Sequence, residues 1–274
     1  MDRLKMKVGV ENIRCQLKEY IEKSGLKALV LGLSGGIDSA ICAALAAPVC
    51  KDLGVELIGR SITIETNKAD EIERGEMIGK AFCTSFKPID LTHLYQTSLH
   101  DILEEEETGE TDRERKVRLG NIKARLRMIY LYNLAQQHKG LVLSTDNYTE
   151  YLLGFWTLHG DVGDYGMIQE LWKEEVYDMS QYLVDEVLES VAEKDALQAC
   201  IDAVPTDGLG ITGSDLEQLG VDTYAQVDAE LKLYTQQPDT SNHLKDSPVI
   251  QRHIRSGYKR MNPLNLTRDQ VFGK

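Results

Sequence analysis

The 274-residue chain lacks any apolar run approaching the ~20 residues that a membrane-spanning helix needs, and six prolines are few for its length. Its opening, Met1 to Lys7, mixes charged and apolar residues. It runs into Val10 to Lys23, which reads as an amphipathic helix without the apolar centre of a signal peptide, so a cytoplasmic protein is expected. Five cysteines (Cys15, Cys42, Cys50, Cys83, Cys200) are odd in number and form no C-x-x-C pair, which argues against a zinc site or a disulfide framework. Cys42 and Cys50 lie on or near an Ala-rich stretch, where free cysteine serves as a small apolar residue. Positive charge is also short. Lys and Arg total 31 against 44 Asp and Glu, and the formal net charge of −13 speaks against a broad nucleic-acid footprint. A small anion held by a few local cations remains compatible with that balance. The two common glycine-rich nucleotide loops are missing as well: there is no G-x-G-x-x-G, and no Lys-Ser or Lys-Thr closes a Walker loop.

What is present is a short glycine turn between an apolar run and a small-residue helix. Ala28 to Leu33 reads as a buried parallel strand, and Ser39 to Ala47 as the helix it feeds. The reversal between them needs residues without side chains at Gly35 and Gly36, and the same absence lets backbone N–H groups approach an anion at the helix N-terminus. Ser34 and Ser39 add hydroxyl donors. Asp38 places a carboxylate too near bound phosphates to be tolerated unless a cation such as Mg²⁺ lies between them. The pattern therefore predicts a site for a metal-bound polyphosphate, its bland alternative being a plain strand-to-helix turn with an Asp cap.

With 42% hydrophobic and 27% charged residues, the composition is that of a globular protein, and the length suits one large α/β domain. After the first unit the pattern predicts a strand at Val55–Ile62, a helix at Lys68–Phe82, a strand at Ser85–Ile89 and a helix at Leu91–Leu103. Glu104 to Arg115 reads as a charged, exposed loop. Val117 to His138 is the longest periodic segment, with Ile122, Leu126, Ile129 and Leu134 on one stripe, and Leu141 to Thr145 is a further strand. This alternation predicts a doubly wound parallel sheet with helices on both faces and ligands at the carboxyl ends of its strands, where Ser34-Gly35-Gly36 and Thr145-Asp146-Asn147 both fall. Beyond residue 150 the chain is expected to be helical: Phe155 to Ile168 irregular, Trp172 to Leu188 a helix, Pro205 to Gly213 a linker, then helices at Tyr224–Leu233 and Pro248–Arg255.

S-G-G-x-D-S after a strand resembles the pyrophosphate loop of the ATP pyrophosphatases, which cleave ATP between its α- and β-phosphates. Two further motifs narrow the resemblance. Gly120-Asn121-Ile122-Lys123-Ala124-Arg125-Leu126-Arg127-Met128 and Thr145-Asp146-Asn147-Tyr148-Thr149-Glu150 are similar to the G-N-x-x-A-R-x-R-M helix and T-D-N-x-x-E loop of the ammonia-dependent NAD synthetases, in that family's order. The resemblance runs from about residue 10 to the C-terminus. It implies an adenine nucleotide alpha-hydrolase-like fold and one synthetase domain over 1–274, with a nucleotide-binding core at about 24–150, substrate loops, helices and a lid at 151–274, and no glutaminase domain. It also implies a homodimer.

Position by position, the resemblance makes Gly32-Leu33-Ser34-Gly35-Gly36-Ile37-Asp38-Ser39 the ATP phosphate loop and Asp38 with Glu150 the Mg²⁺ carboxylates. Thr145 contacts the adenosine or phosphates, Arg60 and more weakly Lys68 the adenine nucleotide, and Arg125 the deamido-NAD. Lys173, in Leu171-Trp172-Lys173, matches the family's L-x-K element and holds phosphates; Thr206 belongs to a Pro-Thr turn that closes over the nucleotide. Tyr258-Lys259-Arg260 stands where the family has His-Lys-Arg, a segment covering the substrate. The family's G-x-x-T-K-Y-G-D-G departs here, since Leu158 replaces a substrate-contacting Lys, while Asp161 is kept and Asp164 is kept as a deamido-NAD contact. His159 could supply part of the lost charge.

The reaction implied is adenylation of the nicotinate carboxylate of deamido-NAD by ATP, with release of pyrophosphate, followed by attack of ammonia and release of AMP. Mg²⁺ on Asp38 and Glu150, the glycine-loop amides and Lys173 would stabilise the leaving pyrophosphate, and Asp161 would bind ammonium and accept its proton. The alternatives are another ATP pyrophosphatase, either GMP-synthetase-like or tRNA-thiolating, and a non-enzymatic nucleotide-binding module. The first would lack the Arg125 and Thr145 to Glu150 motifs, and the second would need no paired carboxylates.

Overall fold

The computed structural model describes residues 2–65, 67–103, 109–204, 215–236 and 244–273. Asp2 caps α1 (Arg3–Ser24) by accepting from the Leu4 and Lys5 amides, and left-handed Gly25 closes it. Strands and helices then alternate: β1 (Ala28–Gly32), α2 (Ile37–Leu53), β2 (Glu56–Thr63), α3 (Ala69–Phe82), β3 (Ser85–Asp90), α4 (Thr92–Ile102), α5 (Asp112–Gln137) and β4 (Gly140–Ser144). With β5 (Tyr165–Gly166) they form a wholly parallel sheet of order β3-β2-β1-β4-β5.

Helices cover both faces, as the alternation predicts. On one side α2 is buried almost all round, with Ala40 to Ala46 inaccessible, because α1, α3, α7 (Lys173–Tyr182) and α8 (Val191–Ile201) surround it. Its small side chains let those neighbours approach closely, and each fully buried Leu or Ile stabilises by about 1.5–3 kcal/mol. On the other side Leu134 and Ala135 of α5 pack on Ala28, Val30, Ile58 and Val142 of the sheet, and Leu126 packs with Tyr95 of α4 and Ile62.

Helix α5 starts at Asp112, inside the segment expected as a loop, where Thr111 caps it by accepting the Glu114 amide, and three further local features depart from the sequence expectation. First, α2 continues past Ala47 through Pro48 to Leu53. A proline leaves the carbonyl four residues earlier without its helical donor. Arg14 replaces that donor: its guanidinium reaches across from α1 to the Ala44 carbonyl at 3.2 Å. Second, the helix expected over Trp172–Leu188 is α7 followed by a single π-helical turn, Leu183–Val187, in which the Leu188 amide donates to the Leu183 carbonyl at 2.8 Å. Third, the glycine-rich stretch after Phe155 contributes β5. Its register depends on a side chain rather than on apolar periodicity, since Asp164 accepts from the Val142 amide at 3.0 Å and from the Tyr132 hydroxyl at 3.0 Å.

Beyond the sheet lie α6 (Tyr148–Leu153), α9 (Asp215–Leu219), α10 (Tyr224–Gln236), α11 (Pro248–Arg255), α12 (Gly257–Arg260) and α13 (Arg268–Phe272). A second apolar cluster, including Leu152, Leu153, Val227, Leu231, Val249 and Ile250, fastens α10 and α11 to α6. None of the helices is long and apolar enough to cross a membrane, among the described residues.

Candidate active site

Strand order reverses between β1 and β4, so the loops leaving their carboxyl ends diverge and open a crevice, the usual ligand position in such sheets. A cleft of about 1030 Å³ lies there. One wall is the glycine turn. Gly35 takes a φ of +81°, and a Cβ on it would stand 2.1 Å from the Glu71 carbonyl oxygen, so only glycine fits under α3. Arg74 donates to the Gly35 carbonyl at 2.9 Å and holds the turn. Gly36 caps α2 without a side-chain bond, which leaves first-turn amides facing the cleft; the Ser34 and Ser39 hydroxyls lie 3.3 Å apart beside them.

The opposing wall is the start of α6. Asn147, wholly buried, accepts the Glu150 amide at 3.0 Å and donates to Asp38 Oδ1 at 2.8 Å, so a single amide side chain ties the Asp38 carboxylate to the backbone that carries Glu150. Lys173, only 3% exposed, places its Nζ 2.5 Å from Asp38 Oδ2 and 2.9 Å from Glu150 Oε1. Burial alone would lower its pKa, but Asp38 and Glu150 outweigh that and raise it well above the ordinary lysine range. Asp146 is buried among these groups, and desolvation, with Glu150, Asp161 and Asp38 nearby, pushes its carboxyl well above the usual range. The sequence placed Asp146 at a strand end without a role; its position in the T-D-N turn was the available signal.

Asp161 also lines the cleft, and its carboxylate accepts the Thr157 amide at 2.6 Å. Thr157 in turn donates to Asn121 at 2.7 Å. Four basic side chains grip the C-terminal end of α6, where carbonyls lack helical donors and the helix dipole favours cations. Arg252 reaches the Leu153 carbonyl at 2.9 Å, His253 Nδ1 stands 2.9 Å from that of Leu152, and Arg260 donates to Leu152 at 2.5 Å. Lys259 donates to Gly154 at 2.7 Å and to the Trp156 carbonyl. Burial, with help from Arg252, lowers Lys259 to a pKa of about 8. The sequence singled out Tyr258, Lys259 and Arg260 here but not Arg252 or His253, whose carbonyl partners lie about a hundred positions earlier and leave no local signal.

The structure brings together the phosphate loop, Arg60, Thr145, Glu150, Lys173, Asp161, Tyr258 and Lys259 on one cleft. Arg60 lines it with a guanidinium already bonded to the Gly59 and Ser85 carbonyls at 2.7 and 3.1 Å. Arg125, Leu158 and Asp164 stand apart from the residues lining that cleft. Arg125 is exposed on a smaller groove of about 550 Å³ and donates to the Leu158 carbonyl at 3.2 Å, while Asp164 secures β5. His159 sits at positive φ, +56°, with Nε2 3.1 Å from Asn262 Nδ2. Lys68 is an exposed N-cap of α3, and Thr206 lies outside the described residues. No group of three or more His, Cys, Asp or Glu poised for a metal occurs among the described residues. Two hard carboxylates with polyphosphate oxygens completing the shell are nonetheless the donor set that suits Mg²⁺.

The chain is similar to known proteins over most of its length. The chain is 33% identical to the NH(3)-dependent NAD(+) synthetase of Mannheimia succiniciproducens over 88% of either protein. In structure it is similar to the NMN synthetase of Francisella tularensis, with a TM-score of 0.76 and 26% identity, covering 96% of this chain and 98% of that one. The fold is also shared with the NH3-dependent NAD synthetase of Campylobacter jejuni, at a TM-score of 0.71 and 23% identity, covering 97% and 100%. A family model for NAD synthase matches residues 9–263, and with the parallel sheet, the glycine turn and the paired carboxylates in place, the chain belongs to the NAD synthase family.

Proposed function

We propose that this chain is an ATP-dependent ligase that amidates deamido-NAD to NAD with ammonia, through an adenylated intermediate. The observation that carries the proposal is the grouping of Asp38, Glu150 and Lys173 at the mouth of the glycine turn, between the two strands where the sheet order reverses. Ammonia cannot displace an oxide from a carboxylate, so the oxygen must first become a good leaving group. Adenylation provides one. The nicotinate carboxylate attacks the α-phosphate of ATP and pyrophosphate departs; ammonia then attacks the acyl carbon and AMP departs.

In the first step the first-turn amides of α2, the Ser34 and Ser39 hydroxyls and Lys173 meet the charge that builds on the leaving pyrophosphate. Mg²⁺, held by Asp38 and Glu150, would supply further charge neutralisation at those oxygens. Lys173 is bonded to both carboxylates in the free protein, so arrival of the polyphosphate would exchange anionic partners around its ammonium. In the second step ammonia must arrive uncharged, and Asp161, fixed by the Thr157 amide, is the carboxylate placed to take a proton from ammonium. We further propose a homodimer in the cytoplasm as the working form, on the strength of family membership.

The test is ATP–pyrophosphate exchange with purified protein. Exchange should require deamido-NAD, and NAD should form with ammonium salts at a rate rising with pH as free ammonia increases. Absence of exchange, or equal activity with glutamine in ammonia-free buffer without a second protein, overturns the proposal. Two observations favour a second reading of substrate size: the likeness to an NMN synthetase and the position of Arg125 and Leu158 off the main cleft. In that reading the amidated molecule is the nicotinate mononucleotide. Competition between the two nucleotides in one reaction decides between them.

A further inference from the structure

Helix α10 presents Tyr224, Asp228 and Lys232, spaced four apart and so on one face, to the three consecutive residues Trp172, Lys173 and Glu174. Lys232 stands 4.9 Å from the centre of the Trp172 ring and 3.5 Å from Glu174 Oε2. The Tyr224 ring lies 5.3 Å from the Lys173 ammonium. Asp228, fully buried, makes the tightest link: one oxygen accepts from the Thr149 hydroxyl at 2.5 Å and the other from the Glu174 amide at 3.0 Å. The Thr149 oxygen itself accepts the Lys173 amide at 2.9 Å.

Trp172 caps α7 without a side-chain bond of its own to a free amide, so the first amides of that helix would be unsatisfied in a buried place. Thr149 and Asp228 satisfy those of Lys173 and Glu174. Thr149 immediately precedes Glu150 on α6. A single carboxylate on α10 therefore fixes both the backbone of Lys173 and the turn that carries Glu150, and Lys173 has its own backbone origin locked before its ammonium meets Asp38 and Glu150.

We propose that Asp228 is a positioning residue for the adenylation step: acting through Thr149, it sets Lys173 and Glu150 relative to one another, while Tyr224 on the same face confines the lysine ammonium. The inference rests on the proposed role of Lys173 at the leaving pyrophosphate. Asp228 touches no substrate in this arrangement, so its effect must pass through Lys173.

The experiment is a double-mutant cycle on ATP–pyrophosphate exchange, using full-length protein and deamido-NAD. Asp228→Asn should lower the exchange rate by roughly ten- to a hundred-fold, the range typical of groups that orient a catalytic side chain, with the KM for deamido-NAD unchanged within about twofold. In a Lys173→Ala parent the same change should cost less than about threefold, because the group it positions is gone. Thr149→Ser, which keeps the bridging oxygen, should retain most of the parent rate, and Thr149→Ala should match Asp228→Asn. This pair serves if Asp228→Asn does not fold. Equal losses in both backgrounds, or a fully active Thr149→Ala, overturn the positioning role. A parent protein without deamido-NAD-dependent exchange would instead overturn the proposed function, so the two failures are distinguishable.

Discussion

Replacing Lys173 by Met keeps the stem of the side chain and removes its charge. In the parent, the ammonium is 2.5 and 2.9 Å from two carboxylates whose side chains are 17% and 15% exposed. Breaking a buried ion pair by removing one partner costs about 3–5 kcal/mol, and partial access of water to Asp38 and Glu150 puts this site at the lower end, about 3 kcal/mol. That is a large share of the roughly 5–15 kcal/mol by which a domain is stable. The cause is loss of the ammonium that the two neighbouring carboxylates share, and this gives the loss a signature. Roughly 10 mM Mg²⁺ should recover more stability in the variant than in the parent, because a divalent cation takes up the position the ammonium vacated. Urea unfolding with Mg²⁺ and with NaCl of matched ionic strength measures the loss and its recovery. A loss below about 1 kcal/mol, or a Mg²⁺ effect equal in both proteins, would refute the reasoning.

Gly35→Ala should destabilise by about 1–3 kcal/mol and abolish protection by ATP in thermal melts, since the new Cβ meets the Glu71 carbonyl in a left-handed backbone. Lys259 has a folded pKa of about 8, below its unfolded value, so the cost of burying its charge is present at neutral pH and is lifted as pH rises through 8 toward 10.5. The Tm of the parent relative to Lys259→Met should accordingly move in the parent's favour between pH 7 and pH 9.5; a constant difference would count against this account. Arg14→Met should cost about 1–3 kcal/mol by stranding the Ala44 carbonyl, and much less beside Pro48→Ala, which restores the helical donor; denaturant midpoints of the four proteins check the coupling.

The glycine turn was legible because its signal is local: Gly35 and Gly36 are needed where they stand, and strand and helix flank them within a few residues. The sheet was legible for the same reason, through apolar runs separated by helical periods. Pro48 misleads, since the local rule ends the helix there and the compensating donor, Arg14, is supplied from another helix. β5 could not be read from a two-residue segment fixed by Asp164. For the site, the motifs identified Asp38, Glu150 and Lys173 singly. Their direct contact joins residues 135 and 23 positions apart, and no pattern in the chain encodes it. Asp228 had no motif at all; only the packing of α10 against α6 and α7 brings it to Thr149.

The position of β4 governs the order in which the molecule can assemble. β1, β2 and β3 pair with successive neighbours through single helical crossovers, so their contacts close short loops as the chain emerges. β4 instead returns to the far edge of β1, setting Gly140 beside Ala28 across all the intervening elements. Such a closure carries a larger entropic penalty and is slower than the local ones. Since Asp38 follows β1 and Glu150 follows β4, a nascent chain holds a formed glycine turn well before it holds a cleft. The nucleotide site is therefore among the last parts of the protein to exist, and ligand binding reports completion of the sheet.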